Sequence, residues 1–156
     1  MIAKKVRDSL TEQVQIVTLQ HLNGNKRIFG GQLMVWSDIV AGVAARRHSG
    51  CDVSTVAVDY LQFRLPAYRN DTILLKGYLT AAFNTSMEVC VEIYKEELSG
   101  ERTLINKAYF VMVALDSDDK PTKVPPLIPE TEKEKQEFED ALKRNEIRQK
   151  RRKQDF

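Results

Sequence analysis

Asp38 is the residue of this sequence whose type and setting point most directly to chemistry. It lies in Gln32–Ala45, where ten of fourteen residues are apolar and only Gln32, Ser37 and Asp38 are strongly polar. An unpaired buried carboxylate is expensive, and desolvation raises its pKa towards the range of a general base. Steps of three, four and seven place Gly31, Met34, Val35, Ala41, Gly42 and Ala45 on the same helical face. Gly31, Gly42 and Ala45 are small enough for another backbone or a ligand to come close to the carboxylate. Just ahead, Phe29-Gly30-Gly31 leaves room for a ligand to reach the unpaired first-turn N–H groups. A helix start of that kind attracts an anion or a polarised carbonyl oxygen. The plainer reading of these residues is a hydrogen-bonded or solvent-facing carboxylate behind a tight loop-to-helix joint.

The elements that must position these groups follow from periodicity. A helix that is apolar on all sides has to be enclosed, and this one is shorter than the ~20 apolar residues of a bilayer span. The expectation is therefore a helix enclosed by its own domain. Arg46, Arg47 and His48 suit its C-terminal dipole, and Gly50 stops it. His48, Cys51 and Asp52 read as part of that cap rather than as a Cys–His site. Upstream, Gln13–Leu19 reads as a strand with Val14 and Ile16 on one face, and His21–Asn25 as a turn. Downstream, Val53–Leu65 reads as a strand closed by Pro66, and Thr72–Phe83 as another with a bulge or bend at Gly77. Thr85–Leu98 alternates cleanly, Ser99-Gly100-Glu101 turns, and Arg102–Asp116 returns. Connections this short join antiparallel neighbours, so the fold class is α+β, one curved antiparallel sheet wrapped around a long central helix.

The 156 residues make one domain with an appendage, and the net charge of +2 conceals an excess of Lys and Arg after Lys143. Cys51 and Cys90 belong to no metal-ligand or disulfide pattern. MIAKKVRDSL has no signal-peptide core, which makes the cytoplasm the expected location. From Lys120 the character changes: Pro121, Pro125, Pro126 and Pro129 form a stiff exit, and 130–156 is almost wholly polar. Its acidic residues come first and its basic ones last, as a helix macrodipole favours. With only Phe138, Leu142 and Ile147 as apolar residues, the expectation is a solvated or frayed helix, docking through Phe138 and Leu142 if at all. The basic end suggests nucleic-acid, membrane or CoA-phosphate binding, but such runs are usually solvated tails, and neither a nucleic acid nor a membrane is expected as partner.

Taken jointly, the motifs resemble the hotdog-fold acyl-CoA thioesterases, in the branch of the bacterial YciA and brain-type acyl-CoA hydrolases. Asn23 is followed six residues on by Phe29-Gly30-Gly31, and Asp38 comes seven after the second glycine. Thr55 to Asp59 matches a Thr-x-x-x-Asp strand, Phe63 and Pro66 a Phe-x-x-Pro, Asp71 the next turn, and Thr85-Ser86-Met87-Glu88-Val89 a strand start. The resemblance covers residues 8–118 and leaves 119–156 as Pro-rich exit and charged helical tail. One departure is Lys26, where the family often has glycine. The resemblance implies hydrolysis of fatty acyl-CoA to free acid and CoA, with Asp38, Asn23 and the Gly31 N–H as catalytic groups. It implies Phe29, Gly30, Thr55 and Ser86 as substrate contacts, and neither metal nor cofactor. It further implies homodimers with active sites at the interface, where Asn23 of one subunit faces Asp38 of the other, and assembly into hexamers. The alternative is a non-catalytic acyl-CoA-sensing hotdog module. A hotdog dehydratase would need a catalytic His, and neither His21 nor His48 has that context.

Overall fold

The computed structural model describes residues 1–154. In chain order its elements are β1 (Lys4–Lys5), β2 (Thr11–Ile16), α1 (Gly30–Ser49), β3 (Asp52–Phe63), β4 (Thr72–Ala82), β5 (Ser86–Glu96), β6 (Arg102–Leu115), β7 (Leu127–Ile128) and α2 (Glu132–Lys153). Strands β2 to β6 make one antiparallel sheet in the order β2-β4-β5-β6-β3, so β2 and β3 are its edges. This is the sheet-around-helix arrangement expected above. No helix among the described residues is long and apolar enough to cross a membrane.

α1 packs on the inner face through Leu33, Trp36, Val40, Ala41, Ala44 and Ala45, residues at helical spacing that are all buried. Gly50 ends it in the left-handed region at φ 70°, its N–H donating to Arg46 O at 2.8 Å. Gly77 is no bulge. A Cβ there would stand 2.6 Å from Val40 Cγ1, so the glycine lets helix and sheet approach, and the β4 irregularity falls at Leu79/Ala81 instead.

α1 is also not enclosed on all sides. Met34, Val35 and Ile39 are 36%, 53% and 53% exposed, and Asp38 lies exposed among them. The sheet covers one side of a helix that is apolar nearly all round, and an apolar stripe stays open beside the carboxylate. β2 is shifted too: it ends at Ile16, a 3-10 turn follows at Leu19–His21, and Val14 and Ile16 share the outer face, well exposed.

The C-terminal segment departs furthest from expectation. β7 pairs in parallel with β1, and His48 Nε2 donates to Pro125 O at 2.7 Å, tying the proline-rich exit to the end of α1. α2 starts with a capping box, in which Thr131 Oγ1 accepts from Glu134 N at 3.1 Å. It docks by charge rather than as a solvated helix. Arg144 Nη2 donates to Glu88 Oε1 at 2.7 Å, and Arg148 Nη1 lies 2.9 Å from both Glu88 Oε2 and Asp59 Oδ2. Glu88 is fully buried on the outer sheet face and also accepts from Thr80 Oγ1 at 2.6 Å. Phe138 packs at the edge of the core and Ala141 is buried, whereas Leu142 and Ile147 stay exposed. The ends of the expected tail, Asp155 and Phe156, lie outside the described residues.

Removing one partner of a buried ion pair strands the other charge. Glu88→Gln is therefore expected to lower unfolding free energy by roughly 3–5 kcal/mol, read from urea midpoints. An unchanged midpoint would show that α2 does not rest on this carboxylate. His48 supplies a pH signature. Burial pushes its pKa below the ordinary 6.5, outweighing the Pro125 hydrogen bond, while its buried Nδ1 has no partner among the described residues. The folded chain resists the proton that the unfolded chain takes up, so this contribution is complete above the ordinary pKa and shrinks as pH falls below it. Urea midpoints at falling pH are expected to drop more steeply in the wild type than in His48→Gln.

Candidate active site

Asp38 meets β3 where α1 crosses it. The Thr55 hydroxyl donates to Asp38 Oδ1 at 2.6 Å, and Met112 Sδ lies 3.3 Å from the same hydroxyl. A charge-assisted bond of this length holds the carboxylate in one orientation while the rest of it faces the open stripe.

The helix start follows from its neighbours. The N–H groups of Gln32 and Leu33 turn back to Phe29 O at 3.0 and 3.4 Å. Those of Gly30 and Gly31 have no acceptor among the described residues, and no side chain caps them. Both glycines leave room for an aromatic ring. A Cβ on Gly31 would run into the Phe29 ring, and one on Gly30 would stand 3.1 Å from Phe63 Cζ. Asp38 follows Gly31 by seven residues, about 10 Å along the same helical face.

Asn23 sits in a tight turn closed by the Leu22–Ile28 bridge. Its Oδ1 accepts from Asn25 N at 2.9 Å and Arg27 N at 3.3 Å, which leaves the Nδ2 group without a partner among the described residues. Lys26, at the position where glycine is common in the resembling family, adopts φ 59°, so the turn keeps a left-handed residue without a glycine. His21 ties this turn to α1: its Nδ1 accepts from Thr18 N at 3.0 Å, its carbonyl from Phe29 N at 2.8 Å, and its ring meets Trp36 edge-on at 4.9 Å.

Within one chain the structure thus brings together Asp38 and Thr55, and separately Phe29, Gly30 and Gly31. It makes no hydrogen bond between Asn23 and Asp38 among the described residues. Ser86 is not brought to them: it pairs with Val113, and alternation places it on the outer face with Glu88, while Met87 and Met112 face α1. Sequence reasoning missed Met112, and it missed the Trp36 contact of His21. A methionine in an alternating strand and a histidine in a turn carry no local mark of such contacts.

A carboxylate on an open face, with two free N–H donors at the start of the same helix, can hold a polarised carbonyl oxygen and act on the carbon behind it. Gly31→Ala is expected to turn the exposed Phe29 ring aside while changing the unfolding free energy by no more than about 0.5 kcal/mol, the scale of a surface substitution; a larger loss in urea unfolding would show that the ring is held against the helix start.

The sequence model of the Thioesterase superfamily matches residues 25–100. Mouse acyl-coenzyme A thioesterase 11 is 36% identical over 148 residues, 94% of this chain but 24% of the relative, so the chain spans about a quarter of that protein. Among solved structures, an apo-hexameric acyl-CoA thioesterase superposes with a TM-score of 0.92 at 36% identity, covering 97% of each chain. The acyl-CoA hydrolase of Staphylococcus aureus, solved with butyryl-CoA and CoA, gives 0.93 at 31% identity, covering 97% of this chain and 93% of that one. Solved variants of that hydrolase replace an Asn, an Asp and a Thr by Ala. The Asn and Asp are 15 residues apart and the Asp and Thr 17, the intervals of Asn23, Asp38 and Thr55 here.

Proposed function

Because the chain belongs to the thioesterase superfamily, we propose that it hydrolyses acyl-CoA thioesters to the free fatty acid and CoA. The observation that carries this is the Thr55-held Asp38 carboxylate, two turns beyond the free Gly30 and Gly31 N–H groups on the open face of α1. The thioester carbonyl oxygen would accept from the Gly31 N–H and a neighbour, where developing negative charge is stabilised most. Asp38 would activate water as a general base or attack the carbonyl carbon itself, and Thr55 would keep it aimed. Phe29 and Gly30 would shape the mouth of the site. The proposal calls on no metal or bound cofactor.

The site is completed, in this proposal, by a second copy. β3 is a twelve-residue edge strand, and the exposed Met34, Val35, Ile39 and Val56 lie on the open helix stripe and along that edge. Unpaired edges and contiguous apolar surface are both relieved by edge-to-edge pairing. Pairing β3 with its symmetry mate would bury the stripe and carry the partner's Asn23 turn towards Asp38, its free Nδ2 group supplying a donor for water or thioester. Assembly of such dimers into hexamers would match the hexameric relative. A cytoplasmic setting is part of this proposal. A sensor that also bound nucleic acid would need the basic helix free, and three of its cations, Arg144, Arg148 and Arg151, pair with Glu88 and Asp59 of the same chain.

CoA release from short to long acyl-CoAs, by wild type and Asp38→Asn, tests the proposal. Wild-type turnover with a loss of roughly 100-fold or more in the variant is expected for a group acting in proton transfer or attack. Turnover that survives the substitution would remove Asp38 from the mechanism, and binding without turnover in either protein would remove the hydrolase.

A further inference from the structure

Asn106 is buried with its whole polar side chain unsatisfied. It is 1% exposed, and neither Oδ1 nor Nδ2 has a hydrogen-bond partner among the described residues. A buried carboxamide in that state forfeits its water contacts at both ends, and such groups are few in native folds. On β6 it stands opposite Ile93 of β5 and Phe63 of β3. Paired residues share a sheet face, and Phe63 reaches α1, its Cζ lying 3.1 Å from where a Cβ on Gly30 would stand. Asn106 is therefore on the inner face, the polar member of a row that continues through Ala108, Phe110 and Met112.

Phe63 lies between this carboxamide and the helix start. The residue is 51% exposed, with its ring tip at Gly30 and its base beside Asn106. Exposed side chains change rotamer quickly, and turning this one out would open a way from the Gly30 and Gly31 N–H groups to Asn106. A thioester whose carbonyl oxygen sits on those N–H groups keeps its CoA arm on the solvent side, so the part that passes Phe63 is the acyl chain. A plain hydrocarbon chain would leave the carboxamide unpaired. An oxygen on the chain would satisfy it: Nδ2 donates to a hydroxyl or an oxo oxygen, and Oδ1 accepts from the hydroxyl. A site that pairs with a hydroxyl penalises the analogue without one.

We propose that Asn106 is a specificity-determining residue, which selects acyl groups that carry a hydroxyl or oxo group and enter between α1 and β6 behind Phe63. The assignment rests on the hydrolase reading above and names its substrate class. It calls on no further catalytic group, because Asp38 and the helix start act on the same carbonyl whatever the chain carries.

The test compares hexanoyl-CoA with its 3-hydroxy, 3-oxo and 5-hydroxy forms as substrates of wild type and Asn106→Leu. In wild type, kcat/KM is expected to be about tenfold higher for at least one oxygenated chain than for hexanoyl, the scale of one hydrogen bond. Asn106→Leu should lose that preference. It should also melt no lower than wild type, since an apolar group of similar size replaces an unpaired carboxamide. Calorimetric binding of the thioethers S-hexyl-CoA, S-(3-hydroxyhexyl)-CoA and S-(5-hydroxyhexyl)-CoA, which cannot be hydrolysed, reads the same selection without turnover. Wild type that prefers no oxygenated chain in either assay would overturn the proposal. A variant that keeps the preference, or that melts well below wild type, would assign Asn106 to the core and overturn it too. If wild type hydrolyses no thioester yet binds a hydroxyhexyl thioether more tightly than the hexyl one, and Asn106→Leu does not, the hydrolase reading fails and the selection stands.

Discussion

The contact on which the rest of this structure depends is the seating of α1 on the inner face of the sheet, closest where Val40 rests over Gly77. At that spacing the buried stripe from Leu33 to Ala45 is covered by strands whose inner residues are apolar in every second position. The same seating brings Asp38 within hydrogen-bonding reach of Thr55 on β3 and wedges the Gly30 backbone against Phe63. The geometry of the proposed site is thus a by-product of core packing. The carboxylate is aimed because the helix beneath it cannot shift without opening the core.

The outer face follows a different rule. Glu88 lies among apolar neighbours in β5 but points away from α1, and its burial is tolerated because Thr80, Arg144 and Arg148 satisfy it. α2 is held over β4 and β5 chiefly by directional charge, with Phe138 and Ala141 adding modest apolar area. Such a clasp sets the orientation of a helix more sharply than apolar contact does, at a considerable cost in desolvation. It also fixes the Arg144 guanidinium over the Tyr109 ring.

Much of the fold was legible in the residues themselves. Period-two alternation in Ser86–Glu96, the β-branched run in Asp52–Phe63 and the short turns between them state the strands and their antiparallel order. The step Phe29-Gly30-Gly31 and the interval to Asp38 state the helix start and the carboxylate on its face. Less legible was anything set by a distant neighbour. Gly77 reads as a bend until Val40 is known to lie over it, and the sheet face that Ser86 takes is known only from its pairing with Val113.

The sequence alone determined the element types, the antiparallel connectivity, and the local chemistry of a carboxylate seven residues past a double glycine, because these depend on spacing along the chain. Tertiary structure alone decided which side of α1 stays uncovered, that Arg144 and Arg148 close on Glu88 instead of facing water, and that the Tyr60 ring turns towards Tyr109. The physical reason is range. Helix and strand propensity act over a few residues, whereas burial and ion pairing are settled between groups fifty or more positions apart, such as Glu88 and Arg144, and leave no mark on the neighbouring sequence.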